Sequence, residues 1–503
     1  MNFKRNAGIL LHITSLPSPH GVGTLGATAY EFIDWMEKAG LAIWQVLPLV
    51  PTNYGDSPYQ SVSSTALNYY LIDFDILHQK GLLKKKDYAT RRFSDYEGKV
   101  NYSLLFTEKT KVLRLAFEKF DKKDPLFIAF EAKGEYRDFA LFMTIKAMHN
   151  YQQWNLWEEK YQSYSKELEE EILTKHKEDY LFWIWTQYEF LEEWNRLHTY
   201  AKTKGIEIMG DMPLYVAHDS VEVWKHPELF ALTETKEPKL VAGCPPDCFT
   251  EDGQLWGNPI YDWDYMKNTN YAWWNERIQK AFALYDILRI DHFRGFAQYY
   301  AIPYGMPNAR IGKWMDGPKF NLFKDKLEYR IVAEDLGFID DDVRTLLKQT
   351  NYPGMKILEF AFDGSKDNEH KPSNYKENYI VYTGTHDNMP LYQYILDLGP
   401  NALDTFLYDL RDECNKLKVE MNASSYEAVT DTVVELAFAS IANTCIIPIQ
   451  DLLALDGSSR MNLPATVSTN NWSYRVLKNQ LSDKLAARIK NYIVKYNRTN
   501  QIK

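Results

Sequence analysis

The feature that most constrains this chain is a series of short, strongly apolar runs separated by segments with helical periodicity. Runs of this kind are typical of the buried parallel strands of an α/β protein. Eight of them occur, at residues 8–12, 43–49, 206–216, 287–292, 329–334, 355–360, 379–382 and 446–451. Eight strands that alternate with helices predict a (β/α)8 TIM barrel.

Two of the gaps between these runs are far longer than one helix requires, so the barrel is expected to carry large, helix-rich insertions. One insertion spans approximately residues 50–205, between strands 2 and 3, and within it residues 177–202 repeat large apolar side chains at helical spacing. The other spans approximately residues 217–285, between strands 3 and 4. Both leave the barrel at the carboxyl end of a strand.

No linker rich in proline or glycine, internal repeat or low-complexity block divides the 503 residues, so we predict a single decorated barrel. The alternative architecture is a doubly wound α/β domain with a helical partner. It is less favoured, because no glycine-rich phosphate loop follows any of the early strands.

Composition excludes several classes of protein. The net charge of −10 and the lack of a basic stripe argue against a nucleic-acid partner, and no apolar stretch is long enough to cross a membrane. The N-terminus lacks the apolar segment of a secretory signal, which predicts a cytoplasmic protein. An aromatic content of 15% raises the expectation of carbohydrate binding, because flat rings stack on the apolar faces of sugars.

The four cysteines, Cys244, Cys248, Cys414 and Cys445, are too few and too scattered for a disulfide framework, so we expect reduced thiols. Cys244 and Cys248 do not predict a zinc site, because two prolines lie between them and no nearby histidine or second pair completes a ligand set.

Charged and imidazole side chains follow four of the predicted strands at their carboxyl ends. They are Asp211 after strand 3, Arg289, Asp291 and His292 at strand 4, Glu334 at strand 5, and His386 and Asp387 after strand 7. In a barrel these ends converge on the face that carries the active site. Each residue alone is also compatible with a helix cap or a turn, an alternative that is strongest for Asp387.

Such a set suits glycosyl transfer. One carboxylate attacks the anomeric carbon while a second carboxyl group donates and then recovers a proton, and retention of configuration requires the two within roughly 5 Å. A third acid that binds sugar hydroxyls stabilises the oxocarbenium-like transition state. Arg289 lies two residues before Asp291, on the same face of the strand, where its charge favours an ionised carboxylate.

The segments RIDHFRG (289–295), VAEDLG (332–337) and YTGTHDN (382–388) resemble the nucleophile, acid/base and stabiliser segments of the 4-α-glucanotransferases. These enzymes, also called amylomaltases or disproportionating enzymes, form glycoside hydrolase family 77 of the α-amylase clan. The resemblance extends from GILLHITSLPSPHGVGTLG (8–26) to QDLLALDGSSRMNLPA (450–465). It implies that Asp291 is the nucleophile, Glu334 the general acid/base and Asp387 the transition-state stabiliser.

The resemblance also implies a set of substrate contacts. Asp211, Arg289 and His386 match positions that contact the sugar at the cleavage site, and Tyr59 matches a ring that stacks on it. Gln254 and Trp256, within PPDCFTEDGQLWGNPIYDW (245–263), match a mobile loop on the acceptor side. Tyr54, within WQVLPLVPTNYGDSPYQS (44–61), resembles an aromatic residue of a secondary glucan groove. For His292, substrate contact and support of its neighbours both remain open.

The chain departs from the family pattern at several positions. Met389-Pro390 stands where Asp-Thr is usual, and residues 63–69 read SSTALNY where the family tends to read SAFAGNP. Ala465, Asn470 and Lys319 occupy places where glycines are expected. None of these positions is a proposed catalytic group, so we expect effects on acceptor preference and loop mobility instead.

The function implied is therefore transfer of an α-1,4-glucan segment to the 4-hydroxyl of glucose or a maltooligosaccharide, through a covalent intermediate and without a cofactor or metal. Two alternatives remain. A hydrolase of the same clan would pass the same intermediate to water. A non-catalytic glucan-binding protein would keep the aromatic grooves, although the presence of all three acids argues against it.

Overall fold

The computed structural model of the chain describes residues 3–246 and 251–499, so Cys248 lies outside the described residues. The described strands, numbered in chain order, are β1 Asn6–Leu10, β2 Ile43–Gln45, β3 Glu207–Met212, β4 Leu240–Cys244, β5 Gln254–Pro259, β6 Ile287–Ile290, β7 Gln298–Pro303, β8 Lys313–Asp316, β9 Ile331–Ala333, β10 Gly354–Ile357, β11 Tyr379–Tyr382 and β12 Thr444–Pro448.

Eight of these strands form one parallel sheet in the order β10-β11-β12-β1-β2-β3-β6-β9. The two ends of this sheet meet, because the amide of Ala333 at the end of β9 donates to the carbonyl of Pro353, just before β10, at 2.9 Å. The sheet therefore closes into a barrel, and the predicted (β/α)8 TIM barrel is confirmed. The doubly wound alternative, which requires an open sheet, is wrong.

The helices surround this barrel and fill the long connections. In chain order they are α1 Ala27–Ala39, α2 Phe74–Gln79, α3 Tyr102–Leu104, α4 Thr110–Lys119, α5 Pro125–Ala132, α6 Arg137–Met148, α7 Lys166–Lys175, α8 Lys177–Thr203, α9 Val221–Lys225, α10 Trp263–Asn268, α11 Ala272–Leu284, α12 Asp341–Thr350, α13 Leu391–Asp397, α14 Pro400–Leu417, α15 Tyr426–Ala439, α16 Ile449–Leu452 and α17 Asp483–Lys495. None of the described helices is both long and apolar enough to cross a membrane.

The apolar runs form barrel strands because the strands are buried on both faces. Every residue of β1, β2, β6, β9, β10 and β12 is buried, as expected when side chains inside the barrel pack on one another and those outside pack on helices. On the outer surface, α1 packs its buried Phe32, Ile33 and Met36 towards the core and α17 lies against it. The barrel thus forms a rigid base for the loops at its carboxyl face.

Several predicted strands end earlier in the structure, and proline accounts for this. The predicted run 43–49 ends as a strand at Gln45, three residues before Pro48, and 206–216 ends at Met212, directly before Pro213. The run 446–451 is shifted to Thr444–Pro448 and continues as α16. A proline has no amide hydrogen for the strand ladder, so the chain turns away at these points.

A second sheet was not foreseen from the sequence. It is antiparallel, with the order β5-β4-β7-β8, and it draws two strands from the connection between β3 and β6 and two from the connection between β6 and β9. Because β5 carries Gln254 and Trp256, this sheet places the predicted acceptor-side residues on a regular element.

Candidate functional site

A buried arginine links two aspartates on adjacent barrel strands. Arg289 donates from Nη1 to both carboxylate oxygens of Asp211, at 2.8 and 2.7 Å, and from Nη2 to Oδ1 of Asp291, at 2.9 Å. The register of β3 and β6 pairs Asp211 with Arg289, and the two-residue period of β6 turns Asp291 to the same side. The Asp211 side chain is fully buried, whereas 29% of the Asp291 side chain is exposed. Asp291 is thus the accessible member of the cluster.

The electrostatics of this cluster keep the guanidinium charged. Burial alone would lower the pKa of Arg289, but the carboxylates of Asp211 and Asp291 raise it well above its usual value. Burial raises the pKa of Asp211, and the charge of Arg289 opposes that rise. A permanent cation therefore lies 2.9 Å from the Asp291 carboxylate.

Tyr59 reaches this cluster from the segment after β2. Its hydroxyl donates to Oδ2 of Asp211 at 2.7 Å, and its ring stacks on His386 with centroids 5.0 Å apart and planes 12° apart. Trp472 packs against both rings, at 5.6 and 5.8 Å. Burial, followed by the charge of Asp211, raises the pKa of Tyr59 well above its usual value, so the phenol keeps its proton. Four segments remote in sequence thus meet at one end of the barrel.

Glu334 follows β9 in a largely buried position beside Asp291. Its Oε1 accepts the amide hydrogen of Leu336 at 2.8 Å, and its Oε2 accepts that of His292 at 2.6 Å. Burial, and next the negative charge of Asp291, raise the pKa of Glu334 to about 7, although Arg289 and the two amide hydrogen bonds oppose this. At neutral pH the carboxyl group is therefore able to donate a proton and to recover it.

Asp387 lies on the turn after β11 and is held by the segment that follows α16. Asn462 donates from Nδ2 to its Oδ1 at 2.7 Å, and Arg460 donates from Nη2 to its backbone carbonyl at 2.5 Å. Nε2 of His386 lies 3.4 Å from the same Oδ1. With 43% of its side chain exposed, Asp387 is fixed on one side and open on the other.

His292 has a left-handed backbone, with φ of 50°, which turns its amide hydrogen towards Glu334. Its ring is packed edge-on against Trp256, with centroids 4.8 Å apart, and burial lowers its pKa to about 3. The imidazole is therefore neutral at physiological pH. Gly295 lies close behind it, since a Cβ at this position would stand 2.3 Å from Leu214 and 3.1 Å from the His292 ring. Only glycine fits here without a shift.

The residues predicted for the acceptor side, Gln254 and Trp256, lie near the cluster, whereas Tyr54, predicted for a secondary glucan groove, does not. Trp256 and Gln254 are joined by a hydrogen bond from Nε1 to Oε1 at 3.1 Å, and Trp256 contacts His292 as described above. Gln60, next to Tyr59, donates to the backbone carbonyl of Trp256 at 3.4 Å. The structure therefore brings β5 next to the cluster of Asp291, His292 and Glu334. Tyr54, in contrast, is 85% exposed and projects into solvent.

Two departures from the family pattern carry a conformational cost. Ala465 and Lys319, which stand where glycines are expected, both have a left-handed backbone, with φ of 59° and 53°. A left-handed backbone destabilises a residue that has a Cβ by about 1–2 kcal/mol. At the third position where a glycine is expected, the side chain of Asn470 accepts a hydrogen bond from Lys99 at 2.7 Å. Met389 directly precedes Pro390, which caps α13.

The structure adds functional candidates that sequence reasoning missed. They are Glu359, Asn388, Arg460, Asn462 and Trp472, each of which contacts Asp387 or its turn, or Tyr59 and His386. Glu359 falls inside the apolar run 355–360, and Arg460 and Asn462 belong to the segment RMN (460–462) that follows β12 and α16. A polar residue inside or just after a barrel strand is a weak signal for Glu359 and Asn388, whereas Arg460, Asn462 and Trp472 lie well beyond the last barrel strand and carry no such signal.

One group of side chains in the described part of the chain has a spacing suited to a metal ion. Its members are His20, Asp73 and Asp75, whose ligand atoms lie within 4.8 Å of one another. Asp75 already pairs with Lys85 at 2.5 Å, and Asp73 caps α2 through two amide hydrogen bonds. None of the residues at the barrel rim belongs to this group, so it contributes nothing to the site.

A (β/α)8 barrel with an ion-paired aspartate, a glutamic acid whose pKa is raised and a third aspartate at its carboxyl face has the side chains that an enzyme needs to cleave glycosidic bonds. The sequence profile of the family described as 4-alpha-glucanotransferase matches residues 11–480. The chain belongs to this family, and it is accordingly a glycosyl-transferring enzyme that acts on α-glucans.

Individual relatives agree with this assignment. A 4-alpha-glucanotransferase of Clostridium butyricum is 44% identical over 487 residues, covering 95% of this chain and 98% of that protein. One of Thermus thermophilus is 40% identical, covering 97% and 98%. Among solved structures, the amylomaltase from Streptococcus agalactiae in complex with acarbose has a TM-score of 0.93 and 40% identity, covering 99% and 100%. The amylomaltase from Corynebacterium glutamicum, at 16% identity, shares the fold with a TM-score of 0.79 over 97% and 75%.

Proposed function

We propose that the chain transfers α-1,4-glucan segments by a retaining double displacement in which Asp291 is the nucleophile and Glu334 the general acid/base. Asp291 attacks the anomeric carbon while Glu334 protonates the leaving glycosidic oxygen, which leaves a glycosyl ester on Asp291. Glu334 then removes the proton from the 4-hydroxyl of the acceptor, whose oxygen attacks the anomeric carbon from the face opposite the ester, and the bond to Asp291 breaks to release its carboxylate.

The observation that carries this proposal is the contrast between the two carboxyl groups. Asp291 accepts a hydrogen bond from a permanently charged arginine, whereas Glu334 is buried with a pKa raised to about 7. Neighbouring carboxyl groups in such different environments are typical of divided nucleophile and acid roles. The amide hydrogen bond from His292, the residue after Asp291, holds Glu334 beside the nucleophile.

The surrounding side chains are proposed to bind and position the sugar. Asp387, held by Asn462, would hydrogen-bond the sugar hydroxyls and stabilise the transition state. Tyr59 presents its ring to the sugar from the side of His386, and Asp211 and Arg289 orient the cluster. His292 contributes its amide to Glu334 and its neutral ring to the packing of Trp256. Its main role is thus support of the neighbouring residues.

The acceptor is proposed to be glucose or a maltooligosaccharide, bound beside Trp256 and Gln254. Both residues belong to the insertion at approximately residues 217–285, and their hydrogen bond presents one flat ring with a polar edge, the combination that suits a sugar. Tyr54, which is exposed, would contribute to a separate glucan groove. The scattered cysteines support the cytoplasm as the compartment of action.

Maltotriose as sole substrate tests this function. A transferase produces glucose together with a ladder of longer maltooligosaccharides, separable by chromatography. Glucose and maltose without longer products would instead identify a hydrolase, and an unchanged substrate would identify a binding protein. Incorporation of isotopically labelled glucose into the ladder tests glucose as the acceptor, and an unlabelled ladder would contradict that part of the proposal.

A further inference from the structure

Glu359 is a buried carboxyl group at the carboxyl end of β10, on the same face of the barrel as the catalytic cluster. Its amide hydrogen donates to the carbonyl of Thr383 at 3.0 Å, so it links the end of β10 to the end of β11. The mechanism proposed above gives Glu359 no role. A buried acidic side chain at this edge of a barrel therefore requires an explanation.

A continuous chain of hydrogen bonds connects Glu359 to Asp387. Asn388 donates from Nδ2 to Oε1 of Glu359 at 2.9 Å, and its Oδ1 accepts both the amide and the hydroxyl hydrogen of Thr385, each at 2.8 Å. The Thr385 hydroxyl oxygen in turn accepts the amide hydrogen of Asp387 at 3.2 Å. Glu359 thus determines the side-chain orientation of Asn388, and Asn388 closes the turn that presents Asp387.

The groups that face Glu359 come from three further elements. Asp451 of α16 is negatively charged, Arg460 is positively charged, and Tyr394 of α13 is a phenol. Burial has the largest effect and raises the pKa of Glu359. The hydrogen bond from Asn388 and the charge of Arg460 lower this pKa, the charge of Asp451 raises it, and the net result is a pKa raised to about 8. Within the described residues, Oε2 of Glu359 is buried without a hydrogen-bond partner, which agrees with a carboxyl group that is uncharged at neutral pH.

The neutral state matters because of Arg460. This arginine donates to the backbone carbonyl of Asp387 at 2.5 Å and is the cation in the surroundings of Glu359. An ionised Glu359 would attract the guanidinium in a low-dielectric environment and compete with the Asp387 carbonyl for it. Ionisation of Glu359 would therefore loosen the Asp387 turn from two sides, through Asn388 and through Arg460.

We propose that Glu359 is a positioning residue of the glucanotransferase reaction, whose uncharged carboxyl group fixes Asn388 and leaves Arg460 bound to Asp387. It acts through the turn and does not touch the substrate. This inference rests on the proposed role of Asp387 as transition-state stabiliser, so loss of positioning lowers kcat and changes KM little.

The test compares Glu359→Gln and Glu359→Ala with the wild-type enzyme. The amide oxygen of glutamine still accepts from Asn388, so Glu359→Gln is expected to keep kcat on maltotriose within about threefold at pH 7. Glu359→Ala removes the acceptor and is expected to lower kcat about tenfold, the rate equivalent of one hydrogen bond. Rescue of the alanine loss by glutamine separates positioning from mere occupation of space.

The pH profile supplies a second readout that a structural role would not change. Ionisation of Glu334 near pH 7 lowers kcat/KM in both proteins, but above about pH 8 the wild-type profile should fall more steeply than that of Glu359→Gln, which cannot ionise. Glu328→Gln makes the same chemical change at an exposed position and should reproduce the wild-type profile.

Three outcomes would overturn the inference. They are a wild-type kcat in Glu359→Ala, an alkaline decline in Glu359→Gln as steep as that of the wild type, or a change confined to KM. If thermal unfolding shows that Glu359→Ala does not fold, the alkaline comparison with Glu359→Gln decides alone. Asp387→Asn separates the two proposals. If that variant is active, the stabiliser role of Asp387 is refuted. If it is inactive while Glu359→Ala keeps wild-type activity, only the positioning role of Glu359 is refuted.

Discussion

Replacement of Glu334 by glutamine should abolish transfer and also reveal the energetic cost of burying this acid. The pKa of the Glu334 carboxyl group is raised from its usual 4.5 to about 7, chiefly by burial and then by the charge of Asp291. A carboxyl group whose pKa is raised on folding binds its proton more tightly in the folded state. Its contribution to stability is therefore complete below about pH 4.5 and is lost as the pH rises towards 7.

The size of this loss follows from the two pKa values. Each pH unit inside the window changes the free energy of unfolding by about 1.4 kcal/mol, so between pH 5 and pH 8 the wild type should lose about 2–3 kcal/mol relative to Glu334→Gln. The amide of glutamine also meets the amide hydrogens of His292 and Leu336, one of which it cannot accept. That penalty does not depend on pH, so it cancels when the two pH values are compared.

Urea unfolding of both proteins at several pH values, followed by circular dichroism, measures this difference. The expected result is a gap in the free energy of unfolding between wild type and variant that shifts by about 2–3 kcal/mol in favour of the variant from pH 5 to pH 8. A difference in the free energy of unfolding that stays constant with pH would show that Glu334 ionises with its ordinary pKa. The assignment of a neutral general acid would then have to be abandoned, whatever the loss of activity.

Three further substitutions test the rest of the cluster. Asp291→Asn should abolish turnover while binding of a maltooligosaccharide persists in isothermal titration calorimetry, and near-normal turnover would remove Asp291 as nucleophile. Arg289→Met leaves the buried carboxyl group of Asp211 without its partner, so urea unfolding should show a loss of about 3–5 kcal/mol together with loss of transfer; unchanged stability would contradict the bridging role. Tyr59→Phe keeps the stack on His386 but removes the hydrogen bond to Asp211, so kcat/KM on maltotriose should fall about tenfold, and a wild-type value would show that the ring alone matters.

Much of the fold was predictable because it depends on local pattern. Barrel strands buried on both faces must be apolar throughout, so all eight runs were visible, and residues 379–382 coincide with β11. The antiparallel sheet was missed because its edge strands β5 and β8 are only partly buried, and Lys313–Asp316 is a short segment with a charged residue at each end and little to distinguish it from a loop. Strand ends were misplaced where proline interrupts an apolar run, as at Pro213.

The candidate site shows the same division. Asp291 and Glu334 could be singled out because each is a charged residue that ends an apolar run. Glu359 is also an acid inside such a run, but the sequence does not show that Asn388 and Arg460 lie beside it. It could therefore not be told from a surface residue of a half-buried strand. Arg460 and Asn462 lie in a segment with no periodic signal, and their contact with Asp387 joins positions more than 70 residues apart.

The sequence by itself determined the class of fold and the chemical identity of the groups at the strand ends, because both follow from residue type and spacing along one chain. Only the tertiary structure decided how these groups ionise. The raised pKa of Glu334 and the permanent charge of Arg289 depend on burial and on carboxylates contributed by neighbouring strands. Desolvation and charge proximity are properties of three-dimensional packing, and they give chemically similar side chains opposite roles in the proposed reaction.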